Sequence, residues 1–422
     1  MDEPPKRSGG TTAADLLAAA SEPWPVRMRV SILLGITTLI SYGTLYYAFG
    51  VLAPDMSADT GLSLSLIYAL FSAGLAVSAL IAPRAGRLMD EANPGTVMAG
   101  GSLAAAATLA AWALMPGAIP YGVMLVAARL VSVLVLYEAA FVAAARLRPH
   151  VARRTITGIT LIAGFASTVF WPLTQWLVTL WDWRAVTLVF AGLHLVVCFP
   201  LHLALVRIVP QGSRADDKGA ASELSKGALP QGRGRRLIFV LLVAGLAANG
   251  FIIAAVHLHL IPMLGALGLA ASAVLIGAII GPAQVAGRMT EFVFGHRVSA
   301  MQVTLVSVAA LPAALLILLA GAPWLASAIA FAVLFGIGQG LVYITRGVLL
   351  LQLFGLSGYG ALTGKSNAVM LNVSAIAPFV TAAVFENLGV ANAVWMLVGA
   401  GIVSIASLMA VASLTGGRRL RE

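Results

Sequence analysis

The sequence is poor in cysteine and in charge. Cys198 is the single cysteine among 422 residues, which excludes an intramolecular disulfide and a multi-thiolate metal cage. Only 10% of the residues are charged against 60% hydrophobic, and the mean hydropathy is +0.96. That leaves too little polar surface to cover a soluble globule of this length. Also missing are a Walker A loop, so direct drive by ATP is not expected, and any spaced set of His, Cys or carboxylates that would suggest enzymology. The first 26 residues hold Asp2, Glu3, Pro4, Pro5 and Asp15 with no apolar run before Trp24, so no cleavable signal peptide is expected.

Long apolar runs are what the sequence has instead. Twelve windows of about 20 residues occupy roughly 30–53, 62–83, 96–116, 120–145, 155–180, 185–206, 237–263, 267–287, 299–320, 322–345, 364–387 and 391–414. An even number of crossings puts both termini on one side. All basic residues except Arg129 and Arg184 fall in the termini and the even-numbered gaps. Lys and Arg resist translocation, so that face is expected to be cytoplasmic, in the inner membrane of a bacterium. The net charge of +10 then reads as topology, with some affinity for anionic lipid, and not as a nucleic-acid patch.

The longest polar interruption, 207–236, divides the chain into six spans and six. The expected organisation is a disordered tail over 1–27, a six-helix bundle over 28–206, a flexible linker over 207–236 rich in Gly, Ser and charge, a second bundle over 237–414 and a tail over 415–422. One patch repeats between the halves. Ala85-Gly86-Arg87-Leu88-Met89-Asp90 aligns with Ala286-Gly287-Arg288-Met289-Thr290-Glu291, each after a proline, Pro83 or Pro282. Two six-helix halves with equivalent loops imply a pseudo-twofold axis along the membrane normal and a cavity between the halves.

The loop Gly86-Arg87-Leu88-Met89-Asp90-Glu91-Ala92-Asn93-Pro94-Gly95 resembles the signature between the second and third helices of the major facilitator superfamily. Gly86 and Asp90 stand in place, and Asn93 is of a type that can stand for the turn glycine, since Asn tolerates a left-handed backbone. Glu91 and Gly95 depart from it, where the family has basic residues. Trp181-Asp182-Trp183-Arg184 is similar to the family's Gly-Trp-Arg before the sixth helix, and Arg129 sits in the fourth helix as a family arginine often does. The resemblance covers about 28–414. It implies an all-α membrane fold of twelve transmembrane helices in two pseudo-twofold bundles, working as a monomer. It also implies a cytoplasmic gate at Gly86, Arg87, Asp90, Gly287, Arg288 and Glu291, here weaker than usual or drawing on Arg84 and Arg87. The segments 42–50, 164–173 and 281–288 look like a bacterial group distantly similar to monocarboxylate permeases, some of whose members occur in arsenic-resistance operons. The fifth helix lacks the Gly-Pro-x-x-Gly-Gly run of drug/proton antiporters.

Ionisable groups inside the bilayer need a partner or a wet cavity. Two lie well inside, Arg129 and Glu138, both in the fourth window. On one continuous helix, nine residues set them about 180° and about 13 Å apart, so they neither pair nor face one cavity. Glu138 is either a proton-carrying carboxylate or an ion-pair member holding the fourth helix to a neighbour, with Arg84 or Arg87 as partner. Arg129 is either a contact for an anionic substrate or a proton relay, or a structural donor; its permanent charge and five donors suit a carboxylate or oxyanion. Tyr42, Tyr46 and Phe49 share a face of the first helix. Gln339, Tyr343 and Arg346 share one of the tenth, with Arg346 ending at the cytoplasmic surface. Gly336 and Gly340 there give a small-x-x-x-small contact. Asn249 and Asn372 lie mid-span, where an unpaired amide is costly, so each lines a cavity or bonds another helix. His257 and His259, two residues apart, read as interface histidines in preference to metal ligands, and Lys365 as a residue reaching the cytoplasmic surface.

The expectation is therefore a secondary transporter and not an enzyme, with no cofactor. It moves a small neutral or anionic molecule by alternating access. The candidate binding residues are Arg129, Tyr42, Tyr46, Asn249, Gln339, Tyr343 and Asn372, with protons coupled through Glu138. Export is the favoured direction, with arsenite as one possible cargo; uptake of a monocarboxylate or vitamin is the alternative.

Overall fold

A computed structural model describes residues 24–208 and 233–416 of the chain. The expected tails over 1–27 and 415–422 and the linker over 207–236 lie largely outside these residues, although helix already begins at Trp24 and again at Arg233. Every regular element among the described residues is helical. That follows from the composition, because apolar runs of this length leave backbone N–H and C=O groups no partners but their own helix.

Twelve long helices follow one another: α1 (Met28–Thr60), α2 (Leu66–Glu91), α3 (Pro94–Leu114), α4 (Ala118–Leu147), α5 (Ala152–Leu180), α6 (Trp183–Val206), α7 (Gly234–Ala266), α8 (Ala273–Phe294), α9 (Ala300–Gly321), α10 (Leu325–Phe354), α11 (Tyr359–Leu388) and α12 (Val390–Thr415). Eleven are long and apolar enough to cross a membrane. The twelfth, α8, has the length but carries Arg288 and Glu291 in its second half. Short polar side chains start several of them. Ser63, Asn93 and Asp182 each accept a hydrogen bond from an N–H of the first turn, and Ser299 with Gln302 forms a capping box.

Three helices are locally irregular. In α1, Gly43–Tyr47 is π-helical, and Phe170 of α5 packs where a side chain at Gly43 would stand. In α6, His194–Cys198 is π-helical as well. α4 is broken outright: regular helix ends at Ser132 and resumes at Tyr137. The break contains neither proline nor glycine. Ser132 Oγ donates to the carbonyl of Arg129 at 2.6 Å, and the amides of Leu134 and Val135 bond three residues back. A hydroxyl competing for a carbonyl and β-branched Val131, Val133 and Val135 both weaken a helix here.

The chain divides into α1–α6 and α7–α12. Within the second half, α8 and α10 meet closely because Gly336 and Gly340 abut the backbone of Ile280 and Gln284, which is the small-residue contact expected of that spacing. Between the halves the most extensive contact is α2 against α11. One large apolar cluster, including Val30, Met89, Phe141, Ile156, Val342, Leu349, Phe354 and Tyr359, belongs to both halves and lies at the end bearing the basic loops. The other two clusters are each confined to one half. The halves are thus packed together at the basic end.

Candidate functional site

The seam at the basic end is built from the repeated loop. Asp90 accepts hydrogen bonds from the backbone N–H groups of Gly360 and Ala361, at 2.7 and 2.8 Å. These are the unsatisfied donors of the first turn of α11, where a carboxylate is favoured by both hydrogen bonding and the helix dipole. The approach needs glycine, since a methyl on Gly86 would collide with the carbonyl of Gly360, and one on Gly364 with that of Ala82. In the second half the residue aligned with Asp90 is Glu291, which pairs at 3.0 Å with Arg153 in the first turn of α5. Arg153 also donates to the carbonyl of Val298, and Arg288 donates to that of Thr160 at 3.2 Å. Each half therefore sends a carboxylate from its second helix to the start of the other half's fifth helix, one to backbone and one to a guanidinium.

Four of the six expected gate residues, Gly86, Asp90, Arg288 and Glu291, lie on this seam. Arg87 is exposed, and Gly287 packs against Ile337 of α10 inside its own half. The basic residue that steadies the first loop is neither Arg84 nor Arg87. Arg146, at the end of α4, donates to the carbonyls of Met89 and Ala92.

Just inside the seam, Arg346 and Glu138 form an ion pair at 2.7 Å between α10 and α4, with side chains only 12% and 17% exposed. This corrects two expectations. The partner of Glu138 is not Arg84 or Arg87, and Arg346 does not end at the surface, because α10 continues to Phe354. The break in α4 also removes the continuous helix from which a 180° separation of Arg129 and Glu138 was reckoned. It places Glu138 in the first turn of a new helix, where its charge is favoured.

Aromatic rings surround this pair. Tyr343 lies between two guanidinium groups, Arg346 at 4.8 Å and Arg288 at 5.8 Å from its centroid. Across the seam it faces Tyr137 at 6.1 Å, which in turn contacts Tyr42 at 4.7 Å. Tyr42, Tyr46 and Tyr47 form one group, with centroids 5.4–6.2 Å apart. The π segment rotates this stretch, so Tyr47 joins Tyr42 and Tyr46 while Phe49 turns aside to stack on Phe71 at 4.3 Å. Tyr46 remains 40% exposed within the group.

On the second half, His257 donates from Nε2 to Gln339 Oε1 at 3.2 Å, and His259 donates to the carbonyl of Pro378 at 2.9 Å. Both histidines tie α7 to a neighbour. Asn249 is fully buried, and among the described residues neither its amide nitrogen nor its oxygen has a hydrogen-bond partner. Asn372 stands apart. It is exposed, on one stripe of α11 with Lys365, Ile376 and Phe379, and bonds the carbonyl of Ala368 in its own helix.

Arg129 is 2% exposed and lies one layer behind Tyr46, inside the first bundle. Its guanidinium sits 4.5 Å from the centroid of Phe71 and 5.9 Å from that of Tyr46. Among the described residues no carboxylate pairs with it, and Nε and Nη1 are unpartnered. A permanent charge at this depth costs about 2.5–3.5 kcal/mol on insertion scales; two ring faces recover part of that.

Of the expected site, then, Glu138, Tyr42, Tyr46 and Tyr343 come together at the seam. Gln339 and Asn249 lie on α10 and α7 of the second half, Arg129 behind the cluster, and Asn372 outside it. Arg346 and Tyr137 complete the centre. Tyr137 adjoins Glu138 in sequence, but no local pattern marks the pairing of either residue across the halves.

The family model described as Major Facilitator Superfamily matches residues 34–287. A search of curated proteins found no match. Among solved structures, the human organic anion transporter MFSD10 (TETRAN) superposes with a TM-score of 0.67 at 15% identity, covering 92% of this chain and 100% of that one. The proton:xylose symporter XylE bound to 6-bromo-6-deoxy-D-glucose gives 0.69 at 12% identity, covering 90% and 94%. At such identities the likeness is one of fold.

Proposed function

This chain belongs to the major facilitator superfamily, a family of membrane transporters, and from that premise we propose that it is a proton-coupled secondary transporter of a small neutral or anionic solute. The observation that carries the reading is the Glu138–Arg346 ion pair. It bridges the two halves beside a group of tyrosines, on the inner side of a seam closed at the basic end. With the basic loops cytoplasmic, this is a state closed toward the inside, and alternating access assigns the opposite side as the open one.

We assign the cargo site to Tyr42, Tyr46 and Tyr343 around the pair, with Gln339 one turn before Tyr343 on α10 and Asn249 on α7 as further members. Protonation of Glu138 from the open side neutralises the carboxylate and releases Arg346, removing a bond that holds α4 to α10. The seam then opens at the basic end, the proton leaves there, cargo binds, and the halves rock back. In that order proton entry drives export. The likeness to permeases of arsenic-resistance operons favours this direction, with neutral arsenite, held by hydrogen bonds, as one candidate. The second reading is uptake of a monocarboxylate. One observation favours it: Arg288 and Arg346 flank Tyr343, a setting suited to a carboxylate.

Counterflow in proteoliposomes tests the reading. Arsenite, small monocarboxylates, vitamins and amphiphilic drugs are offered to wild type and to Tyr343→Ala and Gln339→Leu. Exchange of one class, reduced at least tenfold in both variants, supports it. Exchange of no class, or exchange indifferent to both substitutions, overturns it.

A further inference from the structure

Behind the tyrosine group, within the first bundle, a small pocket opens between α1, α3, α4 and α6. Arg129, Trp112, Thr44, Thr187, Phe190 and Met56 line it, with further apolar side chains, and it has room for a body about the size of one water molecule. Thr44 already donates to the carbonyl of Ile40 and accepts from His194, while Thr187 donates to the carbonyl of Trp183. The polar groups left over are donors: Nε and Nη1 of Arg129 and Nε1 of Trp112, all buried and all without a partner among the described residues.

Three unsatisfied donors around one pocket, one group of them carrying a permanent charge, describe a receptor for an anion. A water molecule would accept from them but leave the charge of Arg129 uncompensated, and no Asp or Glu lines the pocket. The ring faces of Phe71 and Tyr46 cover Arg129 from α2 and α1 and supply no negative charge. A monatomic anion comes nearest to this size, whereas a carboxylate-bearing solute or a tetrahedral oxyanion is larger by several atoms.

We propose that this pocket is a binding site for a small monatomic anion, with chloride as the abundant occupant, separate from the cargo site and buried inside one bundle. The anion is the counter-charge of Arg129, and through the Arg129–Tyr46 contact it supports the wall of the tyrosine group. The site therefore stays with the bundle when the halves rock, and its occupancy is read as stability of the protein with or without cargo.

The test is thermal unfolding of the purified protein, with chloride exchanged for gluconate at constant ionic strength. Bromide diffraction locates the site. The expected result is a saturable rise in Tm with chloride and with bromide, lost in Arg129→Met and shifted several-fold to higher chloride in Trp112→Phe. An anomalous bromide peak beside the Arg129 guanidinium is also expected. A wild-type Tm equal in chloride and gluconate overturns the proposal, as does a chloride response unchanged in Trp112→Phe or bromide density absent from the pocket. Should Arg129→Met fail to fold, the last two measurements decide alone.

Discussion

Glu138 and Arg346 stand 208 positions apart in the sequence and 2.7 Å apart in the structure. One lies on the resumed helix of α4 and the other on α10, so the bond exists only while the two halves are packed together at the basic end. Replacing either partner with glutamine is expected to shift the balance toward the state open at that end. Breaking a buried pair costs about 3–5 kcal/mol. Slight exposure of both side chains reduces this to roughly 2 kcal/mol, a shift of roughly 30-fold. Distances between spin labels across the basic end should lengthen in Glu138→Gln and in Arg346→Gln, and exchanging the two residues should restore part of the short distance.

The contact between α2 and α11 makes a steric prediction. Gly360 has the carbonyl of Gly86 and the carboxylate of Asp90 where a side chain would stand, so Gly360→Val cannot close the basic end without parting the helices. Alkylation of a cysteine placed on that seam should rise at least tenfold in Gly360→Val, with the protein still folded. Asp90→Ala, which removes two hydrogen bonds to helix-terminal N–H groups, should give a rise in the same direction, of about 1.5–3 kcal/mol in equilibrium terms.

The Arg153–Glu291 pair is the weaker of the two related contacts. Arg153 is 23% exposed and Glu291 3%, and screening from the Arg153 side holds such a pair to roughly 1–2 kcal/mol. Glu291→Gln should therefore shift the label distances less than Asp90→Ala does, and 0.5 M salt should reproduce only part of its effect.

Asn249 separates stability from function. Its buried amide bonds nothing in the described structure, a state that costs about 1–3 kcal/mol. Asn249→Leu should raise Tm by several degrees while reducing cargo exchange, because residues held unsatisfied for a ligand trade stability for binding. An unchanged rate of exchange would assign Asn249 to packing alone.

Much of the architecture is legible in the sequence, because hydropathy and the side on which Arg and Lys accumulate are summed over many residues. The repeat at 85–90 and 286–291 likewise points to Gly86, Asp90, Arg288 and Glu291. The centre is less legible. Nothing local marks the break after Ser132, since no proline or glycine lies in it; Arg129 and Glu138 do stand apart as expected, but the break, and not the spacing along one helix, sets the direction of Glu138. The π-helical turn at Gly43–Tyr47 shifts Tyr47 into the ring group and Phe49 out of it, against a spacing of 100° per residue. A pairing such as Glu138 with Arg346 depends on how two bundles dock, and no spacing within either helix encodes it.

The measurement that tests the account most directly is proton movement in proteoliposomes as each of arsenite, small carboxylates, vitamins and amphiphilic drugs is added to wild type and to Glu138→Gln. The transported compound is expected to evoke proton flux in wild type, and Glu138→Gln to abolish this flux while still exchanging the compound. Transport that is indifferent to pH and unchanged by Glu138→Gln would contradict it, leaving a uniporter in which Glu138 and Arg346 serve only to hold the halves together.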